Sequence, residues 1–312
     1  MPKSSTSKVS RKKNKEGILD LKTVNECNKC LGAETLHPQA SVINLDGADL
    51  RQAGVKFEFY AVLLIDECAD GCCCCGRRYY DFATATMVFL TPGEVFRLDA
   101  AGALPPKGLL LAYHPDLLFR TALNRHINDY TFFFYRKEEA LHLSQRERRT
   151  VVKYFDDINE ELHHPIDAHS RTLVSRLIEL LLDYCTRYYE RQLITRENKN
   201  RDLMGKLGRL VDHGIEAGLL SDGHGLTVDY CADRLGLSPA YFKDLLKFET
   251  GKSFAEYLLH KRLAAAKRML LTPSASPAAV ARRLGFASTQ QFSFIFKKLT
   301  GVAPADYRFS SN

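Results

Sequence analysis

No stretch of this 312-residue sequence is apolar for long enough to span a bilayer. The longest such stretches, Tyr60 to Ile65 and Leu177 to Leu182, the latter interrupted by Glu179, fall far short of the roughly 20 residues a spanning helix needs. No G-x-S-x-G, phosphate-binding loop or dinucleotide fingerprint occurs, so the commonest signatures of hydrolases, NTPases and nucleotide-dependent oxidoreductases are missing. Histidine pairs of the H-x-H type, from which a metal site on a small barrel is built, are lacking too. His37, His114 and His126 stand alone, and His163, His164 and His169 fall in a helical segment. The start is rich in Ser and Lys and has no apolar core of the secretory kind, so the expected location is the cytosol. In that reducing compartment the nine cysteines are expected as thiols or metal ligands rather than disulfides. No enzyme activity, cofactor or membrane partner is expected.

What is present is unevenly distributed. The formal charge of +7 resides in the last quarter, where Thr227 to Asn312 carries 13 Lys and Arg against 6 Asp and Glu. The first fifteen residues hold six basic side chains, and residues 16 to 226 carry 25 basic against 31 acidic. A basic module following an acidic body favours a polyanion as partner of the C-terminal part alone.

Residues 1 to 16 are polar and basic with little to bury, and read as a disordered tail. From Val42 to Tyr135, short aromatic or branched runs alternate with Gly, Pro and Asp: Phe57 to Asp66, Tyr79 to Ala83, Thr86 to Leu90 and Leu109 to Tyr113. That rhythm predicts a small antiparallel sandwich or barrel over 17 to 140. Ser144, with Glu147 three residues on, predicts a capping box for a helix from Gln145 to Leu162. A second helix, Asp167 to Gln192, carries Leu173, Leu177, Leu180, Leu181, Tyr184 and Tyr188 at helical spacing. This stripe packs either on the chain's own sheet or on a second subunit, and 141 to 193 reads as a helical, dimerising segment. Thr195 to Asp202, charged and Asn-containing, reads as a linker within 194 to 202.

Beyond it, strand signals vanish. Thr227 caps a short helix with Val228, Cys231, Ala232 and Leu235 inward. Gly236-Leu237 makes a turn, and Ser238-Pro239 supplies an N-cap and an N1 proline for Pro239 to Glu249. Together these describe a helix-turn-helix. Gly251 and Ser253 then lead into a spacer helix, Phe254 to about Leu271. Ser276-Pro277 repeats the Ser-Pro start, and Val280, Ala281, Leu284 and Gly285 repeat Cys231, Ala232, Leu235 and Gly236. Ser288 caps a second reading helix, Thr289 to Leu299, whose inner face is Phe292, Ile295 and Phe296. The unit occurs twice. In such a unit the second helix lies in the DNA major groove. Ala240, Lys243 and Asp244 are then the outward candidates in the first copy, and Thr289, Gln290, Ser293 and Phe294 in the second. Lys247, Lys252, Lys297 and Lys298 are the candidates for phosphate contact.

These residues resemble a known family. Ala232 to Gly251, Arg262-Leu263 to Leu271 and Ala281 to Arg308 are similar to the DNA-binding module of the AraC/XylS transcription regulators, over about a hundred residues. The resemblance implies a seven-helix module over 203 to 310, attached to a ligand-sensing or dimerising N-terminal domain. It also implies a double-stranded DNA partner, a small-molecule effector, a homodimer and contact with RNA polymerase. Phe294 departs from the Arg usual at its place, and contact with a thymine methyl is a substitute for the lost charge. More loosely, Phe57 to Tyr60, Tyr80-Asp81, Val88 to Val95, His114 to Leu117 and Glu139 to Ser144 resemble the cupin-like N-terminal region of some of these regulators. The expected fold class is thus α+β and multidomain: a cupin-like small β-barrel with dimerisation helices, then an all-α double helix-turn-helix.

Cys27, Cys30, Cys72, Cys73, Cys74 and Cys75 have the number and kind of ligands for a closed Zn²⁺ site. Against this, adjacent residues on a strand point to opposite faces, so four in a row do not readily converge on one metal. Cys27 and Cys30 fall in a predicted helix, and Cys185 and Cys231 are expected in the core. A DNA alkylation-repair regulator using N-terminal cysteines, or a cupin metalloenzyme, are the alternatives.

Overall fold

The computed structural model describes residues 18–46, 54–67, 84–97, 107–221, 225–272 and 274–310. The expected tail over 1 to 16, the run Cys72 to Cys75 and the strand over Tyr79 to Ala83 lie outside the described residues. The chain divides into two compact units between Gln192 and Leu193. No described helix is long and apolar enough to cross a membrane.

The N-terminal unit contains two sheets. Strands β1 (Ile18–Leu21), β3 (Gly54–Phe57) and β6 (Glu94–Arg97) form the first, in the order β1-β3-β6, with β1 parallel to β3. The second has the order β2-β7-β4-β5-β8, built from β2 (Ala40–Asn44), β4 (Tyr60–Glu67), β5 (Ala85–Leu90), β7 (Lys107–Tyr113) and β8 (Leu141–Leu143). All its pairings are antiparallel. Helix α1 (Val24–Leu31) lies between β1 and β2 in the chain.

Alternation along β4 shows how the core is laid out. Ala61, Leu63 and Ile65 join a cluster with Leu19, Val55, Phe57 and Phe96 of the three-stranded sheet, so the two sheets enclose one core. Val62 and Leu64 join a second cluster on the opposite face. A strand buried on both faces reads as an unbroken apolar run, which is why Tyr60 to Ile65 shows no polar alternation. The expected strand Phe57 to Asp66 is in fact two, broken at Glu58-Phe59, because the chain leaves one sheet there and enters the other.

The outer face of the five-stranded sheet is covered by helices. After the short helices α2 (Pro115–Leu118) and α3 (Leu123–His126) come α4 (Gln145–His163) and α5 (Ser170–Thr195). The Ser144 capping box of α4 is formed: Ser144 Oγ accepts from the Glu147 N–H at 3.4 Å, and Glu147 Oε2 accepts from the Ser144 N–H at 2.8 Å. Val151, Phe155 and Ile158 of α4 and Val174, Ile178, Leu182 and Cys185 of α5 are buried with Met87, Leu111 and Tyr113 of the sheet. The expected stripe of α5 is therefore met in part. Leu181 and Tyr188 are buried, and Leu177 and Tyr184 pack partly against the core. Leu173 and Leu180 are instead 48% and 41% exposed, and Val174 and Ile178 are buried in their place. The helix is apolar around more of its circumference than one stripe.

The expected linker is corrected as well. Helix α6 (Glu197–Glu216) covers most of it, with Asn200, Leu203, Leu207 and Val211 buried. Asn200 Nδ2 donates to the Leu193 carbonyl at 2.8 Å and to Glu249 Oε1 at 3.0 Å. Of the charged residues that suggested a loop, Glu197, Arg201 and Asp202 lie on the exposed side of the helix, and Arg196 is buried at its N-cap. The C-terminal unit continues with α7 (Val228–Leu235), α8 (Pro239–Thr250), α9 (Phe254–Leu270), α10 (Pro277–Arg283), α11 (Thr289–Thr300) and α12 (Tyr307–Ser310).

Candidate nucleic-acid interface

The duplicated pattern folds into the same local geometry twice. Thr227 Oγ1 accepts from the Tyr230 N–H at 3.1 Å and starts α7, while Ser276 Oγ accepts from the Ala279 N–H at 3.2 Å and starts α10. Each first helix is followed by a glycine of the left-handed region, Gly236 at φ 68° as the C-cap of α7 and Gly285 at φ 69° just after the C-cap of α10. The next residue then closes the turn: Leu237 N–H donates to the Ala232 carbonyl at 2.9 Å, and Phe286 N–H to the Ala281 carbonyl at 3.0 Å. Ser238 and Ser288 cap the second helices, accepting from Tyr241 N–H at 3.2 Å and Gln291 N–H at 3.0 Å.

Burial sorts the reading helices. On α8, Tyr241, Phe242, Leu245 and Leu246 are buried; Lys243 and Lys247 are exposed; Asp244 is half-buried. Ala240, expected to face outward, is only 9% exposed and counts with the core. On α11, Phe292 and Phe296 are fully buried, and their rings meet those of Phe286 and Tyr307 in series, tilted or edge-on, at 5.0 to 5.5 Å. Gln290, Lys297 and Lys298 are exposed, Thr289 and Ser293 half-buried, and Phe294 is 69% exposed. Ile295, expected inside, is half-buried. Lys252 is half-buried, and its Nζ donates to the Thr250 carbonyl at 3.5 Å, which leaves it a weaker candidate for phosphate than the exposed lysines.

Four supporting contacts were not legible in the sequence. Spacer helix α9, about 25 Å long at 1.5 Å per residue, is tied to α6 by Lys261 Nζ donating to Asp212 Oδ2 at 2.8 Å. Its Arg262 guanidinium lies 3.9 Å from the centre of the Phe286 ring. Burial pushes the Arg262 pKa down, and the arrangement is a cation–π contact on the turn of the second unit. Arg283 donates to the Glu216 carbonyl at 3.0 Å. Gly285 faces the Leu220 carbonyl so closely that a Cβ there would stand 2.3 Å from the oxygen.

Among the described residues the cysteines and histidines form no comparable constellation. Cys27 is fully buried on α1, and burial, then the Cys30 thiol, pushes its pKa up, opposite to what a thiolate ligand or methyl acceptor needs. Cys72 to Cys75 lie outside the described residues. Cys185 and Cys231 are buried. Among the described residues no three His, Cys, Asp or Glu side chains are placed to share a metal ion. His114 instead caps α2, accepting from the Asp116 N–H at 3.2 Å, and His126 meets Glu179 at 2.8 Å.

Two helix-turn-helix units joined by a spacer helix define a DNA-binding module. Residues 231–309 match the family described as helix-turn-helix domain. The C-terminal unit thus holds an AraC-type helix-turn-helix domain within residues 231–309. The regulatory protein PocR of Salmonella typhimurium is 28% identical over 166 residues, covering 50% of this chain and 54% of that protein. The arabinose operon regulatory protein of Salmonella typhimurium is 33% identical over 89 residues, covering 28% of this chain and 31% of that one. The chain thus spans about half of the first and a third of the second. A solved C-terminal domain of the two-component response regulator yesN from Fusobacterium nucleatum is 32% identical, covering 32% of this chain and 95% of that chain, with a TM-score of 0.27.

Proposed function

We propose that the chain is a transcription regulator, not an enzyme, that reads double-stranded DNA with α8 and α11 in successive major-groove segments. The observation that carries this is the duplication itself: two pairs of caps, two left-handed glycines and two matched turn bonds on either side of one helix. Reading helices held in fixed register suit two short blocks of sequence about 34 Å, one DNA turn, apart. Lys243 suits a guanine edge and Gln290 an adenine. The exposed Phe294 ring, costly in water, suits a thymine methyl. Thr289 and Ser293, half-exposed beside it, complete the second reading face, and Lys247, Lys297 and Lys298 suit phosphates. At a promoter the bound chain would act on RNA polymerase.

The N-terminal unit supports a cupin-like sensor that also dimerises. Its two facing sheets suit that reading. Leu173 and Leu180 leave an exposed apolar patch on α5 beside Leu177 and Tyr184, which pack partly against the core, and a second copy of the chain would cover it. A small-molecule effector belongs to the same proposal, but not between the sheets. The free space there is about 10 Å³, closed by Leu21, Leu45, Phe57, Leu63 and Leu110, and a single water needs about that much.

Lys243→Ala and Gln290→Ala are each expected to cost roughly 1–3 kcal/mol on the matching sequence and to relax preference at one block only. Lys297→Ala should weaken binding to all sequences and lower the salt slope by about 1. Titrations on matched and single-base-altered duplexes at several salt concentrations check this. Equal losses for Gln290→Ala on every duplex would refute its base-reading role.

A further inference from the structure

A second space in the N-terminal unit has the properties the packed sheet interior lacks. A cleft of about 240 Å³ opens between β5, β6 and the segment 132–140, with Met87, Phe89, Phe132, Tyr135 and Tyr189 among its walls. The aromatic side is preformed: Phe89 and Phe132 stand 4.4 Å apart, and Phe132 stacks on Tyr189 at 5.3 Å. Pockets for drug-sized ligands hold roughly 300–1,000 Å³, so this one takes about one substituted ring.

Its polar groups narrow the chemistry. Glu94 lines the cleft, with Arg136, Lys137 and Glu138 at the same wall. The Glu94 Oε2 atom accepts from both the Thr91 N–H at 3.1 Å and the Thr91 hydroxyl at 3.2 Å. These bonds fix the carboxylate and leave Oε1 as the acceptor for a ligand. Desolvation by its surroundings raises the Glu94 pKa against the pull of the Thr91 bonds, as befits a carboxylate short of solvent.

The cleft is also wired to the helix that leaves the unit. Tyr189 Oη donates to the Glu139 carbonyl at 3.4 Å. Gln192 Nε2 donates to the Ala140 carbonyl at 3.1 Å, and Gln192 Oε1 accepts from the His142 N–H at 2.8 Å. Arg191 donates to the His142 carbonyl at 2.7 Å. The segment that walls the cleft is therefore held by the last turns of α5 before the boundary at Gln192, and a ligand that orders that segment acts directly on those turns.

We propose that this cleft is an effector site for a small aromatic molecule carrying an amine or hydroxyl group, its ring among Phe89, Phe132 and Tyr189 and its donor on Glu94 Oε1. The effector role rests on the reading of the chain as a regulator; the site does not. Full-length protein is titrated with benzylamine, benzyl alcohol and benzoate, following the thermal unfolding midpoint and, separately, affinity for its selected DNA. Benzylamine and benzyl alcohol raise the midpoint and benzoate does not. Glu94→Gln, which keeps the Thr91 bonds, weakens benzylamine binding about tenfold. Val95→Phe, which fills the cleft from its half-exposed side, weakens both donor probes, so a folding failure of one variant leaves the other to decide. Undiminished benzylamine binding in the folded variants, or an equal shift with benzoate, overturns the site. Probe-saturated protein with unchanged DNA affinity overturns the effector role. A chain that binds probes through Glu94 but no DNA overturns the regulator reading and leaves the site standing.

Discussion

Phe292→Ala is expected to unfold the second helix-turn-helix unit and abolish two-block DNA binding. The side chain is fully buried, with ring contacts to Phe286 at 5.0 Å and Phe296 at 5.5 Å. Truncating a buried Phe to Ala costs about 3–5 kcal/mol, the transfer term plus a cavity that relaxes only in part. Whole domains are stable by only about 5–15 kcal/mol. Loss of this ring also removes a contact of the Phe286 ring, over which the Arg262 guanidinium lies at 3.9 Å. Urea unfolding followed by far-ultraviolet circular dichroism should show an early helical transition absent from the parent, with the later, sheet-containing transition unchanged. Phe292→Leu should recover most of the lost stability, because the volume is nearly kept. A variant as stable as the parent would mean that this ring is not part of the core.

Gly285→Ala is expected to be the second largest, and Gly236→Ala provides its internal reference. Both glycines have nearly the same backbone, φ 69° and 68°. A Cβ in that region costs roughly 1–2 kcal/mol for its own clash with the backbone. At Gly236 nothing else lies within 4 Å of the added carbon, whereas at Gly285 it would stand 2.3 Å from the Leu220 oxygen and 3.1 Å from the Leu220 carbonyl carbon. Neither Leu220 atom is the end of a flexible side chain, so the second turn must move away from it. The difference between the two variants should be at least about 2 kcal/mol in unfolding free energy, within the range seen for overpacking. Affinity for a two-block site should fall more in Gly285→Ala than in Gly236→Ala. Equal effects would show that the contact with Leu220 has no energetic weight.

What was legible in the sequence follows from the range over which each signal acts. The Ser-Pro starts, the glycines after Leu235 and Leu284, and the three- and four-residue apolar spacing are local. Both turns form where they predict. The Ser144 capping box, equally local, also forms. Signals that depend on a partner element were lost. Thr195 to Asp202 looked like a linker because nothing in it shows that Asn200 is buried against Glu249. Along α5, apolar residues are so dense that Leu173 and Val174 look alike, and only the sheet decides which is buried. The break at Glu58-Phe59 is a change of sheet, to which a continuous aromatic run is blind. Ala240 carries too little surface to reveal a face, so its inward position was not readable. At the interface, Lys243, Gln290 and Phe294 were legible as exposed positions on capped helices. Arg262 and Leu220, which hold the second unit in place, come from elements far away in the chain.

One chain is expected to read two sequence blocks with two register-locked helices, and selection of bound sequences from random double-stranded DNA with the full-length chain measures this. The expected result is enrichment of two short conserved blocks, centred about one helical turn apart, of which only the second loses definition in Gln290→Ala. Failure to enrich any sequence, or enrichment of a single block unaffected by Gln290→Ala, would contradict it.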